Sequence, residues 1–245
     1  MAHLGITEVL GRADQGVTQP FRCRAEDGNL YYVKGKHASR RSQICEWVAG
    51  HMGQALGLPI PPFLVLDVPD AIIELLPPHW QELGAGPVFG SLAHVHSIEM
   101  TWPLVRSVPQ KVRSDILVFD RWVRNGDRIL TELGGNPNLL WNPSWESVVV
   151  IDQNQAFDAD FDHDLFLESH IFRDDWPLAA GDCVTRAEYE QRLEAVAPKF
   201  LEACESAPPE WWWVADDVPT SFDRTAIYEQ LQVSLRGDGL WGGAK

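Results

Sequence analysis

The sequence is short of positive charge. Against 35 Asp and Glu it sets only 20 Lys and Arg, a formal net charge of -15. That balance argues against a nucleic-acid binder working through bulk electrostatics, because phosphate backbones reward clustered Lys and Arg. No apolar run approaches 18 residues, so no membrane-spanning helix is expected. The N-terminal Met1-Ala-His-Leu-Gly-Ile6 has no basic region followed by an apolar core, and no export signal is expected from it. Cysteine is scarce too. Cys23, Cys45, Cys183 and Cys204 are widely spaced with no C-x-x-C, which suits reduced, buried thiols in a cytoplasmic protein. No internal repeat or low-complexity segment is visible.

What is there is an ordinary globular composition: 245 residues, 45% hydrophobic and 22% charged, enough for one large domain or two lobes sharing a cleft. The acidity is uneven. Residues 1 to 76 carry 7 basic and 8 acidic side chains, so the first third is near neutral and suited to facing a polyphosphate. The remainder would repel one unless metal intervenes.

The stretch from Asn125 to Phe157 concentrates the chemistry. A polar loop, Asn125-Gly-Asp-Arg128, precedes a short strand beginning at Asn138, a turn at Asn142-Pro-Ser, and a β-branched strand, Val148-Val-Val-Ile151, that delivers Asp152. Two carboxylates and a carboxamide on one hairpin can hold Mg²⁺ through oxygen while leaving one carboxylate to accept a proton. Asp and Asn also terminate strands and fill turns, which is the plainer reading of each alone.

Upstream, Ile6–Leu10, Val17–Arg24 and Asn29–Lys34 read as strands around a turn at Gly11–Gly16, the third ending in Lys34 before Gly35. A glycine-containing hairpin followed one strand later by a lysine is how kinase-like folds cover and grip ATP phosphates. From Ser39 the period changes: Ile44, Trp47, Val48, His51, Met52, Ala55 and Leu56 describe an amphipathic helix stopping at Gly57. Glu46 on that helix is placed to reach Lys34 if the helix packs on the sheet; otherwise it is a solvated helix glutamate.

Pro61–Asp67 and Ala71–Leu76 read as two further strands, and the Pro/Gly-rich residues 77 to 90 as a loop or inter-lobe connection. A helix is expected over about 108–123. Asp158, Asp160, Asp162 and Asp164 alternate like a calcium loop, but His163 and Ser169 stand where Gly and Glu are needed, so an EF-hand is rejected. Thr185-Arg-Ala-Glu188 reads as a capping box opening a helix that carries Tyr189, Leu193, Val196, Phe200 and Cys204 inward, and Ser221–Arg236 as a last helix closed by Gly237. Trp211-Trp-Trp213 reads as a packing plug or partner patch.

The order Val33-Lys-Gly35, Glu46-Trp-Val-Ala-Gly50 with Leu56-Gly-Leu-Pro-Ile-Pro61, Asn125-Gly-Asp-Arg128, Asn138-Leu-Leu140 and Ile151-Asp152 with Ala156-Phe157 resembles the HipA-like kinases, relatives of the phosphatidylinositol 3- and 4-kinases. The resemblance implies an α+β, bilobal protein-kinase-like fold with a small antiparallel-sheet N-lobe, residues 1–76, and a mainly helical C-lobe, residues 77–245. It implies ATP and Mg²⁺, with Lys34 on the phosphates steadied by Glu46, a covering loop at Gly16, Val17 and Thr18, and an adenine-pairing hinge at Glu74 and Leu75. Asp127 becomes the catalytic base, and Asn138 and Asp152 the metal ligands. Thr18, the hydroxyl in that loop, takes the place of the serine that HipA kinases autophosphorylate.

Relatives place the metal asparagine five residues after the catalytic Asp, often with a His after Asp-Arg. Here Glu132 occupies that position, Ile129 replaces the His, and an insertion over 131–137 leaves Asn136 as a rival ligand. The partners implied are a protein substrate phosphorylated on Ser or Thr and an antitoxin or regulatory protein, with no direct nucleic acid and no membrane. HipA toxins proper are longer, and their contacts do not transfer. A lipid or small-molecule kinase and a catalytically silent nucleotide-binding module are the alternatives.

Overall fold

A computed structural model describes residues 3–13 and 19–242. Sheet dominates the N-terminal part and helix the C-terminal part, and the chain gathers into two compact units. The first comprises residues 1–47, 61–95 and 207–222; the second comprises 48–60, 96–206 and 223–245. The division expected at 76/77 falls inside the first unit, which continues to Val95.

The first unit is a closed five-stranded barrel: β1 (Leu4–Arg12), β2 (Phe21–Ala25), β3 (Leu30–Lys34), β4 (Phe63–Val68) and β5 (Gly86–Leu92), in the order β1-β2-β3-β5-β4. Neighbours run antiparallel except β1 and β4, which meet in parallel with Leu4 opposite Leu66. Alternation sets the core. Phe21, Cys23 and Ala25 point inward from β2, joining Ile6, Tyr31, Val33, Leu66 and Val88. Trp211 is fully buried here, its indole N–H on Pro87 O at 2.9 Å and its ring against Trp47, whereas Trp213 is half exposed on the hairpin of β11 (Trp213–Ala215) and β12 (Val218–Pro219).

One expected element is corrected. Residues 71–76 form no strand but the helix α2 (Asp70–Leu75). Both edges of β4 are already taken, by β1 and by β5, so no sheet position remains for that apolar run. The antiparallel partner of β4 is β5, drawn from the Pro/Gly-rich stretch expected to be a loop.

The helix expected after Ser39 is α1 (Arg40–Leu56), within which the chain passes from the first unit to the second; Gly57, at φ +91°, ends it as the sequence indicated. The second unit contains the three-stranded sheet β10-β9-β6, formed by β6 (Ile98–Glu99), β9 (Leu139–Asn142) and β10 (Ser147–Val150), and a two-stranded hairpin of β7 (Ile129–Thr131) and β8 (Gly134–Asn136).

Around them lie α3 (Gln110–Trp122), α4 (His163–Ser169), α5 (Trp176–Ala180), α6 (Cys183–Val196), α7 (Pro198–Ser206) and α8 (Arg224–Ser234). Helix α3 is the axis of this unit: Ile116, Phe119 and Trp122 are fully buried, and the Trp122 indole donates to Leu231 O on α8 at 3.1 Å. The expected capping box is also corrected, since α6 starts three residues earlier with Asp182 as its cap, accepting from the N–H groups of Val184 and Thr185 at 2.9 Å. Pro198 then divides the expected single helix in two. Asp162 caps α4 in the same way, which accounts for one of the alternating acids.

Candidate active site

In the first unit, β3 ends in Lys34, opposite Phe89 of β5, with only 6% of its surface exposed. Its ammonium meets Glu46 Oε1 of α1 at 2.5 Å, and Glu46 is equally buried. The helix period thus delivers the carboxylate where the sequence suggested. Gln43, one turn earlier, donates to Lys34 O at 2.7 Å and fixes the strand end. Gly35 is obligatory, because a Cβ there would stand 2.1 Å from Leu83 O. An ammonium has three N–H donors, the chemistry that anionic oxygens call for.

In the second unit, the loop after α3 brings Asp127 against two amides. Its Oδ2 accepts from Asn136 Nδ2 and from Asn138 Nδ2, each at 3.0 Å. The insertion that separates these residues in sequence folds as the β7–β8 hairpin, and so returns both asparagines to the same oxygen. Burial raises the Asp127 carboxyl above its ordinary value, the bonds from Asn138 and Asn136 oppose this, and the nearby charge of Asp152 adds to the rise. Asn138 and Asp152 both hold left-handed backbones, at φ +48° and +58°. Asn and Asp tolerate that region better than other side chains, and such strain concentrates at functional sites.

Arg128, wholly buried, ties the pieces together. Its Nε donates to Asp120 Oδ2 on α3 at 2.7 Å, while Nη1 reaches the carbonyls of Asn138 and, at 3.2 Å, Ile151. One guanidinium therefore anchors the residue after Asp127, the backbone of Asn138 and the residue before Asp152. Asp120 also receives Asn125 Nδ2 at 3.1 Å and contacts His170 Nε2 at 3.1 Å. His170 Nδ1 accepts the Phe172 N–H, so Nε2 carries the proton and the ring is neutral. Burial holds His170 below its ordinary value even with Asp120 beside it; burial would raise Asp120, but Arg128 and His170 outweigh it and keep that carboxyl low.

Asp120, His170 and the anchoring role of Arg128 were missed in the sequence. The available signal was Asp120 itself, four residues after Ile116 on an apolar helix face, where an acid needs a partner. Of the other expected site residues, Gly16, Val17 and Thr18 lie outside the described residues. Glu74 and Leu75 sit on α2 with exposed side chains, not on an extended strand.

Among the described residues no three His, Cys, Asp or Glu side chains gather to hold a metal by themselves. Asp152, whose charge adds to the proton affinity of Asp127, and one asparagine oxygen are nevertheless a donor set that suits Mg²⁺. That ion is usually held through one or two carboxylates together with substrate phosphates and water.

A family model described as HipA-like kinase matches residues 6–243. A crystal structure of a Helicobacter pylori proinflammatory kinase, CtkA, is similar at 13% sequence identity and a TM-score of 0.48, covering 95% of this chain and 90% of that one. No curated protein matches the chain.

Proposed function

The chain belongs to the HipA-like kinase family, and from that premise we propose that it is an ATP-dependent kinase of bilobal protein-kinase-like fold that phosphorylates Ser or Thr of a protein. The observation that carries this reading is the carboxylate of Asp127, with raised proton affinity, held by two amides near Asp152. Asp127 accepts the proton of the acceptor hydroxyl as that oxygen bonds the γ-phosphorus and the bond to ADP breaks. Lys34, steadied by Glu46, binds ATP phosphate oxygens. Asp152 and Asn138 are the residues that would hold Mg²⁺, with Asn136 supporting Asp127. Bound there, the ion would neutralise phosphate charge.

Because α2 spends its backbone on its own helix, the adenine-pairing role expected of Glu74 and Leu75 passes in this proposal to the segment that follows β5. The net charge of -15 and the lack of a basic stretch disfavour an anionic lipid as acceptor.

The test is ATP turnover and transfer to protein, with and without Mg²⁺, for the natural chain and for Asp127→Ala. Mg²⁺-dependent transfer abolished by the substitution is the expected result. ATP binding without turnover in the natural chain would replace the kinase reading with that of a silent nucleotide-binding module.

A further inference from the structure

The β7–β8 hairpin does more than return Asn136 to Asp127, because its tip is constructed. Ile129 pairs with Asn136, Leu130 with Gly135 and Thr131 with Gly134. Thr131 Oγ1 accepts the Leu133 N–H at 3.2 Å and donates to Gly134 O at 3.0 Å, bracing the turn from both sides. Gly134 takes φ +113°, and a Cβ on Gly135 would stand 2.4 Å from Ile129 O, so the strands approach this closely only through glycine. What this construction holds out is Leu133, 100% exposed. Turn chemistry favours Asn, Asp, Gly or Ser at such a tip, and a leucine in water forgoes all the stabilisation its burial would bring.

The two ends of the hairpin are mechanically linked. Asn136, at the end of β8, donates to the candidate base Asp127 at 3.0 Å, and Leu133 lies three residues back along the chain, in the turn just beyond the last pair of the ladder. That distance is roughly 10 Å of extended chain, the same span as three residues of an extended peptide. A peptide that places its hydroxyl at Asp127 and runs along the hairpin therefore brings a side chain three or four residues away to Leu133. We propose that Leu133 is an acceptor-docking residue, which seats an apolar side chain of the protein substrate three to four residues from the phosphorylated Ser or Thr. This inference rests on the protein-kinase reading and adds to it the sequence class of the acceptor.

The experiment is a positional-scanning library of Ser and Thr peptides, varied at every position within about five residues of the acceptor, phosphorylated by the full chain with Mg²⁺ and ATP. The natural chain is expected to select Leu, Ile, Met or Phe three or four positions to one side of the acceptor. Leu133→Asp is expected to lose that selection and raise KM for the best peptide about tenfold at similar kcat, whereas Leu133→Met retains both. An identical profile and KM in Leu133→Asp would overturn the docking role. So would loss of ATP turnover in that variant, since a residue that only seats the acceptor leaves nucleotide chemistry intact. A natural chain that turns over ATP yet labels no peptide overturns the protein-acceptor reading, and the docking role with it.

Discussion

Arg128 Nε and Asp120 Oδ2 pair at 2.7 Å with neither side chain exposed to solvent. A buried pair of this kind is costly to break on one side only, about 3–5 kcal/mol, because the remaining charge is left without its partner. Arg128→Met should therefore lower the melting temperature by roughly 10 °C and reduce transfer together with it. Arg128→Met combined with Asp120→Leu should cost less than the two single substitutions added. Simple additivity in thermal unfolding would mean that the two side chains do not act as a unit.

The same network gives stability a direction with pH. His170 is held below its ordinary 6.5, so the unfolded chain takes up a proton there that the folded chain refuses, and stability falls as pH drops through that value. Asp120 is held below its ordinary 3.8, so its contribution is complete above that value and is lost in stronger acid. His170→Gln, which keeps a donor toward Asp120, should flatten the decline in melting temperature between neutral pH and about 5. His51 and His163 are also lowered by burial and remain, so part of the slope persists. An unchanged slope would remove His170 from the account.

Lys34 and Asp127 should fail in different ways. Lys34→Ala removes a phosphate contact and should raise KM for ATP as well as lowering turnover. Asp127→Asn should lower transfer by about 10²–10⁴-fold with nucleotide affinity largely retained, because the base acts on the acceptor. Equal loss of ATP affinity in both variants would contradict this division of roles.

The two asparagines can be separated by what each variant demands. Asn138→Ala should need more Mg²⁺ for the same rate. Asn136→Ala removes a bond that lowers the Asp127 carboxyl, so the acid side of its pH–rate profile should move to higher pH while its Mg²⁺ requirement stays put. The reverse pattern would transfer the ligand role to Asn136.

Where local pattern and contact coincide, the chain could be read directly. The three- and four-residue period of α1 points Glu46 at a strand end only twelve residues away, and Lys34 is there. The strands flanking Asn138 and Asp152 were legible because β-branched Val148–Val150 sit on one side of a clear Asn-Pro turn. Helix α2 was not, since Ile72-Ile-Glu-Leu-Leu76 is too short for period to separate helix from strand, and the answer lay in which sheet edges were free. Strand β5 hid behind Pro87 and Gly90; Gly90 packs directly beneath Leu66, where a Cβ would stand 2.5 Å from Leu66 Cδ1. The pairing of Asp120 with His170 spans fifty residues and left no periodic trace.

The carbonyl of Asn138 accepts both the Arg128 guanidinium and the Ile151 amide, the latter at 3.1 Å. The two strands that carry the candidate metal ligands are thus closed at their open end by a shared acceptor rather than by a turn. Local unfolding of either strand must release that carbonyl, and with it a buried arginine. Amide exchange at Ile151 should consequently belong to the same cooperative opening as the amides around Asp120, not to fraying of a hairpin end.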